Sequence, residues 1–139
     1  MTSDGIAKLK EMEGLRLKPY LDTVGKTTIG YGRNLSDVGI SEHEAAILLN
    51  NDIERATAQC RATFDWFDAL DATRQDAIVN LAFNMGINGL KGFSKMLDAI
   101  SRQDWKQAAL ELADSKWAKQ VGSNRRDDLM DALELGIWD

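Results

Sequence analysis

The residue types best suited to chemistry lie close together near the start of the chain. Glu13 and Asp22 are nine residues apart, followed by Thr27 and Thr28 and then by Gly30 and Gly32. Two carboxyls can divide acid and base work when their environments differ. One is partly desolvated and protonated, the other solvated and ionised. That division is what glycoside cleavage needs. A threonine hydroxyl beside them could position the attacking water. The spacing alone is a weak signal in a chain with 22 acidic side chains, where a solvated helix-end Glu and a turn Asp would look the same.

These groups need elements to hold them. Residues 3–12 read as a short amphipathic helix, with Ser3 as cap, Ile6, Leu9 and Met12 at near-helical spacing, and Gly14 as stop. Residues 16–33 hold three Gly, the sole Pro and β-forming Tyr, Val, Thr and Ile. They read as a small antiparallel sheet with a turn near Val24-Gly25-Lys26. Glu13 then ends a helix and Asp22 lies beside a sheet turn, two places that can face one cleft.

From Ser41 onward the pattern is helical. Ser41 and Glu44 form a capping box. It opens a helix to about Arg61, with Ala45, Leu48, Leu49, Ile53 and Ala56 on one side. Asp71 caps a helix through Met85, with Ile78, Leu81, Ala82 and Met85 inward and Gly86 as stop. A helix near 92–101 follows, then one from Asp104 to about Lys119 and one from Ser123 to about Leu135. The fold class is α+β, a small sheet lobe joined by a long helix to a larger helical lobe. The expected organisation is one domain. Its sheet lobe spans about 14–40 and its helical lobe about 62–139, the latter packed with the N-terminal helix.

Composition narrows the function. The chain has 139 residues, 44% hydrophobic and 28% charged, an ordinary globular balance. Its single cysteine, Cys60, excludes an intrachain disulfide, and one His with one Cys argues against structural zinc. No metal and no cofactor are expected. The net charge of −5 argues against nucleic acid as a partner. Residues 1–40 carry 6 basic and 5 acidic side chains, and residues 41–139 carry 11 and 17. The acidity therefore belongs to the later part. No apolar run reaches signal-peptide or membrane-spanning length, so neither a leader nor membrane insertion is expected.

The local sequence sharpens the reading. Glu13-Gly14-Leu15-Arg16-Leu17-Lys18-Pro19-Tyr20-Leu21-Asp22-Thr23 is followed by Thr28-Ile29-Gly30-Tyr31-Gly32. This resembles the phage-type lysozymes, the T-even-lysozyme-like muramidase family (glycoside hydrolase family twenty-four). That family's pattern is Glu, eight residues, Asp, five residues, Thr, then Ile-Gly-x-Gly. Further matches follow in order at Ala82-Phe83-Asn84-Met85-Gly86, Trp105-Lys106-Gln107-Ala108-Ala109, Ser115-Lys116-Trp117, Asn124-Arg125-Arg126 and Gly136-Ile137-Trp138-Asp139. One motif would be weak; the collinear set spans essentially the whole chain.

The resemblance implies a lysozyme-like fold with its substrate cleft between the lobes. It implies hydrolysis of the β-1,4 bond between N-acetylmuramic acid and N-acetylglucosamine in peptidoglycan. Glu13 is implied as general acid, Asp22 as the carboxylate assisting water, and Thr28 as the residue orienting it. Inversion, the T-even-type outcome, asks for carboxyls about 6.5–9.5 Å apart. Gly30 and Gly32 are implied to let the backbone approach the sugar, with a sheet bend as the other explanation. Phe83 and Asn84 are implied cleft contacts, with core packing the alternative for Phe83. Arg125 matches an Arg that supports the catalytic Glu; a one-residue insertion near Val121–Ser123 would pass that role to Arg126. The implied setting is an endolysin, a monomer held in the host cytoplasm until a holin-type protein releases it to the wall in the periplasm. The alternative is a catalytically reduced module that binds peptidoglycan or protein.

The chain also departs from the family. Arg33 stands where the T-even type has His, and its expected partner is an acidic residue on the later helices. Asn84 replaces a longer Gln. Residues 34–41 form a shorter segment, and the acidic surface suits an anionic wall poorly. Trp66, Trp105, Trp117 and Trp138 read as core rather than sugar platforms, Cys60 as an unreactive buried or half-buried thiol, and His43 as solvated. Crowded catalytic groups are seldom stabilising, so Thr28→Ala is expected to hold or raise the melting temperature.

Overall fold

The computed structural model describes residues 1–138. It contains α1 (Ser3–Glu13), β1 (Arg16–Leu21), β2 (Thr27–Gly30), β3 (Arg33–Asn34), α2 (Glu42–Thr63) and a short 3-10 turn at Phe67–Ala69. Then follow α3 (Ala72–Lys91), α4 (Ser94–Ser101), α5 (Trp105–Ala113), α6 (Lys116–Gln120) and α7 (Ser123–Leu135). This is the expected α+β class. Contacts divide the chain into two compact units, Met1–Leu48 and a second from Leu49 onward, with the boundary inside α2.

In the first unit, Thr2 rather than Ser3 caps α1. Its hydroxyl accepts from the Gly5 N–H at 3.1 Å, and Ser3 is already helical. Gly14 ends the helix as expected, at φ 72°. The sheet runs β1-β2-β3, antiparallel throughout. Arg16 pairs with Gly30 and Tyr20 with Thr28, so β1 carries extra residues between them. Pro19 lies in that irregular stretch and has no N–H to give the ladder, which is where a strand tolerates it.

The capping box at α2 is reciprocal. The Glu44 N–H donates to Ser41 Oγ at 3.1 Å, and the Ser41 N–H to Glu44 Oε1 at 2.9 Å. The same carboxylate receives both ends of the Arg33 guanidinium, at 2.9 and 2.8 Å. Arg33 also donates to the Gly39 carbonyl at 3.1 Å. Its partner is thus in the first turn of α2, not on the later helices; the short 34–41 segment brings Glu44 within reach.

The core of the second unit contains Cys60, Phe67, Ile78, Leu81, Leu90, Met96, Ile100, Leu112, Leu129 and Leu133, each at most 2% exposed. Burial pushes the Cys60 thiol up to about 11, which removes its nucleophilic form at neutral pH. Asp71 caps α3 by accepting from the Arg74 N–H at 3.2 Å. Arg74 closes the other end of the sequence. It donates to the carbonyls of Leu133 and Glu134 at 2.7 and 2.8 Å, while its guanidinium lies 4.1 Å from the Trp105 ring centre. The last carbonyls of α7, which lack helical partners, are met this way.

Three further boundaries and one apolar face differ from expectation. Gly86, at φ 79°, interrupts α3 without ending it, and the chain resumes helical form to Lys91. The helix expected from Asp104 to Lys119 breaks into α5 and α6, because Ser115 caps a new start by accepting from the Ala118 N–H at 3.1 Å. Gly122, at φ 88°, precedes α7, and Ser123 is its first residue rather than its cap. Of the apolar side expected on α2, Ala56 is buried, whereas Leu48, Leu49 and Ile53 are 52%, 47% and 41% exposed. Leu49 and Ile53 line a cavity of about 370 Å³ in the second unit. Gly136 ends α7 at φ 70°, and Asp139 of the closing motif lies outside the described residues.

The hydrogen bonds from Arg33, with help from Ser41, hold the Glu44 carboxyl down at about 2, against an ordinary 4.5. A lowered folded-state value means stability present above about 4.5 and lost as pH falls toward 2. Gln at position 44 keeps the capping box but not the ion pair. Thermal melts should therefore show Glu44→Gln less stable than wild type at pH 7, with the gap closing between about pH 4.5 and 2.

Candidate active site

Five of the sequence-selected residues fall in the first unit. Glu13 is the last residue of α1 and is exposed. Its carboxylate lies against the backbone of Gly32, so closely that a β-carbon there would stand 2.5 Å from Glu13 Oε2. Gly32 also has φ +78°, a conformation unfavourable to any residue with a β-carbon. Two independent demands thus require glycine at 32. At Gly30, φ is +71° with open space where a β-carbon would go, so the bend explains that residue on its own.

Asp22 and Thr28 meet at one peptide group, that of Lys26. Asp22 Oδ1 accepts from the Lys26 N–H at 2.8 Å and from the Val24 N–H at 3.0 Å. The Lys26 carbonyl accepts from the Asp22 N–H and from Thr28 Oγ1, both at 2.9 Å. The Asp22 carboxylate is therefore fixed through one oxygen, and Oδ2 has no hydrogen bond among the described residues. Thr28 is 4% exposed, the buried polar residue among those described. Its proton is committed to Lys26, which leaves its oxygen as an acceptor for a water hydrogen. Lys26 was not selected from the sequence. It acts through its main chain, which carries no residue-type signal.

Three selected residues fall in the second unit. Phe83 is 47% exposed and lines cavities of about 370 and 230 Å³, so core packing does not account for it. Asn84 is exposed, and its Oδ1 accepts from the Trp117 indole at 2.6 Å. Arg125 donates to Asn80 Oδ1 at 2.9 Å and has no carboxylate partner among the described residues, whereas Arg126 is paired with Asp127 at 2.9 Å. Trp117 is in the core and Trp66 stacks on Phe64 at 4.7 Å, while Trp138 is 43% exposed. Among the described residues, no group of three or more His, Cys, Asp or Glu could hold a metal ion. No described helix is long and apolar enough to cross a membrane.

Comparison with known proteins shows the family. The family model for phage lysozyme matches residues 10–131. An endolysin of Acyrthosiphon pisum secondary endosymbiont phage 1 is 32% identical over 133 residues, covering 93% of this chain and 87% of the relative. Probable T4-type lysozyme 1 of Dictyostelium discoideum is 29% identical over 157 residues, covering 92% of each. The pre-baseplate central spike protein Gp5 of Enterobacteria phage T4 is 31% identical over 141 residues, of which this chain spans 24%. The chain belongs to the phage lysozyme family. It is an enzyme of the glycoside hydrolase class, in a family that acts on peptidoglycan.

The contact at Gly32 yields a paired test. Gly32→Ala should push the Glu13 carboxylate aside; if Glu13 takes part in the reaction, kcat falls by about 10²-fold, the scale of a 1 Å misplacement. Its positive φ adds a stability cost of about 1–2 kcal/mol. Gly30→Ala carries the same backbone cost and, with open space at its β-carbon, spares kcat. Thermal melts and steady-state kinetics on both variants check this.

Proposed function

We propose that this chain is an endolysin-type muramidase that hydrolyses the β-1,4 bond between N-acetylmuramic acid and N-acetylglucosamine with inversion. Glu13 protonates the leaving glycosidic oxygen. Asp22, through its unbonded oxygen, takes the proton of a water attacking the anomeric carbon from the opposite side, and Thr28 accepts that water's other hydrogen. The backbone at Gly30 and Gly32 borders the sugar, and Phe83 and Asn84 contact the strand. Arg125 plays a supporting part. Because Glu13 is exposed in the free protein, the bound strand itself excludes water from it. The enzyme works as a monomer without metal or cofactor. It waits in the host cytoplasm until a holin-type protein lets it reach the wall in the periplasm.

One observation carries this reading. In a chain of this family, Glu13 is seated against Gly32, while Asp22 and Thr28 are anchored on the same Lys26 peptide. Surface groups of a binding module would not need that placement. The pairing of Arg126 with Asp127 favours Arg125, which meets an amide oxygen and no carboxylate among the described residues, for the supporting part.

Turbidity clearing of outer-membrane-permeabilised Gram-negative cells tests it. Wild type should clear them, and Glu13→Gln should be slower by about 10²–10⁴-fold, the range for loss of a general acid. Equal clearing by both would place the acid elsewhere. A folded wild type that binds sacculi without clearing would favour the binding module. Arg125→Ala with unaltered activity and pH profile would remove Arg125 from the site. Thr28→Ala should lower activity. It should also lower stability, by about 0.5–1.5 kcal/mol, because the buried bond to Lys26 is lost; this reverses the expectation from crowding alone.

A further inference from the structure

Trp117, on α6, is 8% exposed and belongs to the core of the second unit. Its indole N–H donates to Asn84 Oδ1 at 2.6 Å. An indole nitrogen offers a proton and no acceptor, so a carboxamide can meet it only through oxygen. This bond therefore decides which way round the Asn84 amide sits. Asn84 is exposed, next to exposed Phe83, and its Nδ2 donates to no described residue. The two N–H groups of that nitrogen remain for a ligand. An unrestrained amide could turn either its donor or its acceptor outward; this one is fixed by a buried ring that is itself held in the core.

We propose that Trp117 is a positioning residue that makes Asn84 a donor-only contact, selecting a hydrogen-bond acceptor on peptidoglycan. This rests on the reading of the chain as a peptidoglycan-cleaving enzyme with Asn84 at the substrate. The acceptor is a carbonyl or carboxylate oxygen, which peptidoglycan offers from its N-acetyl groups and from its stem peptides. An acidic or hydroxyl-bearing residue at 84 would still satisfy Trp117, but neither would present the same pair of donors.

Two substitutions separate positioning from packing. Asn84→Asp keeps an oxygen for the indole and replaces both outward donors with an acceptor. Trp117→Phe removes the N–H and keeps an aromatic ring. Asn84→Asp should raise KM by about tenfold or more, with kcat within a few-fold and the melting temperature close to wild type. Trp117→Phe should raise KM by about 2–10-fold, the worth of one ordinary hydrogen bond. Adding it to Asn84→Ala should change KM no further, because the two act as one unit. Intact sacculi and sacculi stripped of stem peptides by an amidase identify the acceptor: an effect on both marks the N-acetyl group, and an effect on intact sacculi alone marks the peptide.

Wild-type KM in Asn84→Asp would overturn the proposal. So would a Trp117→Phe enzyme that melts lower but keeps its KM. Should Trp117→Phe fail to fold, Asn84→Asp decides alone. Sedimentation binding to sacculi in a Glu13→Gln background repeats the comparison without turnover. A wild type that never cleaves would defeat the proposed function, while this binding measurement would still report on Asn84.

Discussion

The Glu13 carboxylate occupies the space that a side chain at residue 32 would need. That steric exclusion is the constraint around which the first unit is arranged. Gly14 turns the chain directly after Glu13, at φ 72°, so the acid stands at the very end of α1. Gly32 gives way to Arg33, and Arg33 is held by Glu44 and by the Gly39 carbonyl. The backbone that borders the acid is therefore tied to the first turn of α2. Glu44 serves two purposes with one carboxylate, capping a helix and fixing the strand next to Gly32. Its partner bonds are largely exposed, so their value lies in geometry more than in a large energy.

The roles proposed for Asp22 and Thr28 depend on a peptide group. Lys26 gives its N–H to Asp22 and its carbonyl to Thr28, so neither side chain can move without disturbing the turn. Side chains held by main chain in this way have little freedom left to lose, which is the preorganisation that the proposed roles would need. In the second unit, Arg74 performs a comparable task on a larger scale. It joins the start of α3, the ring of Trp105 and the end of α7.

Much of this was legible in the sequence where the signal is local. The Ser41/Glu44 box, the Asp71 cap and the Gly14 stop are each a side chain or a glycine acting on neighbouring backbone, and each is found where read. The misreadings come from competition between equally good local signals. Thr2 and Ser3 can both cap α1, and Ser115 competes with the continued apolar pattern from α5 into α6. A glycine after an apolar helical run usually marks a stop, and Gly86 does leave helical geometry, yet the helix resumes beyond it. The residues proposed for the chemistry stand out through the family pattern, not through spacing alone. Pairs such as Asn84 with Trp117 and Asn80 with Arg125, 33 and 45 positions apart, leave no trace in periodicity. The role of the Lys26 main chain was invisible for the same reason: nothing in a lysine announces what its peptide group will bond.

The most direct measurement is the anomeric configuration of newly formed reducing ends, followed by proton NMR during early turnover of purified glycan strands. Attack by a water set between Asp22 and Thr28, with Glu13 as acid, predicts the α anomer of N-acetylmuramic acid first, relaxing later to the equilibrium mixture. Initial formation of the β anomer, or of anhydro ends with no water incorporated, would contradict the assignment of Asp22 and the water-activating role of the sheet.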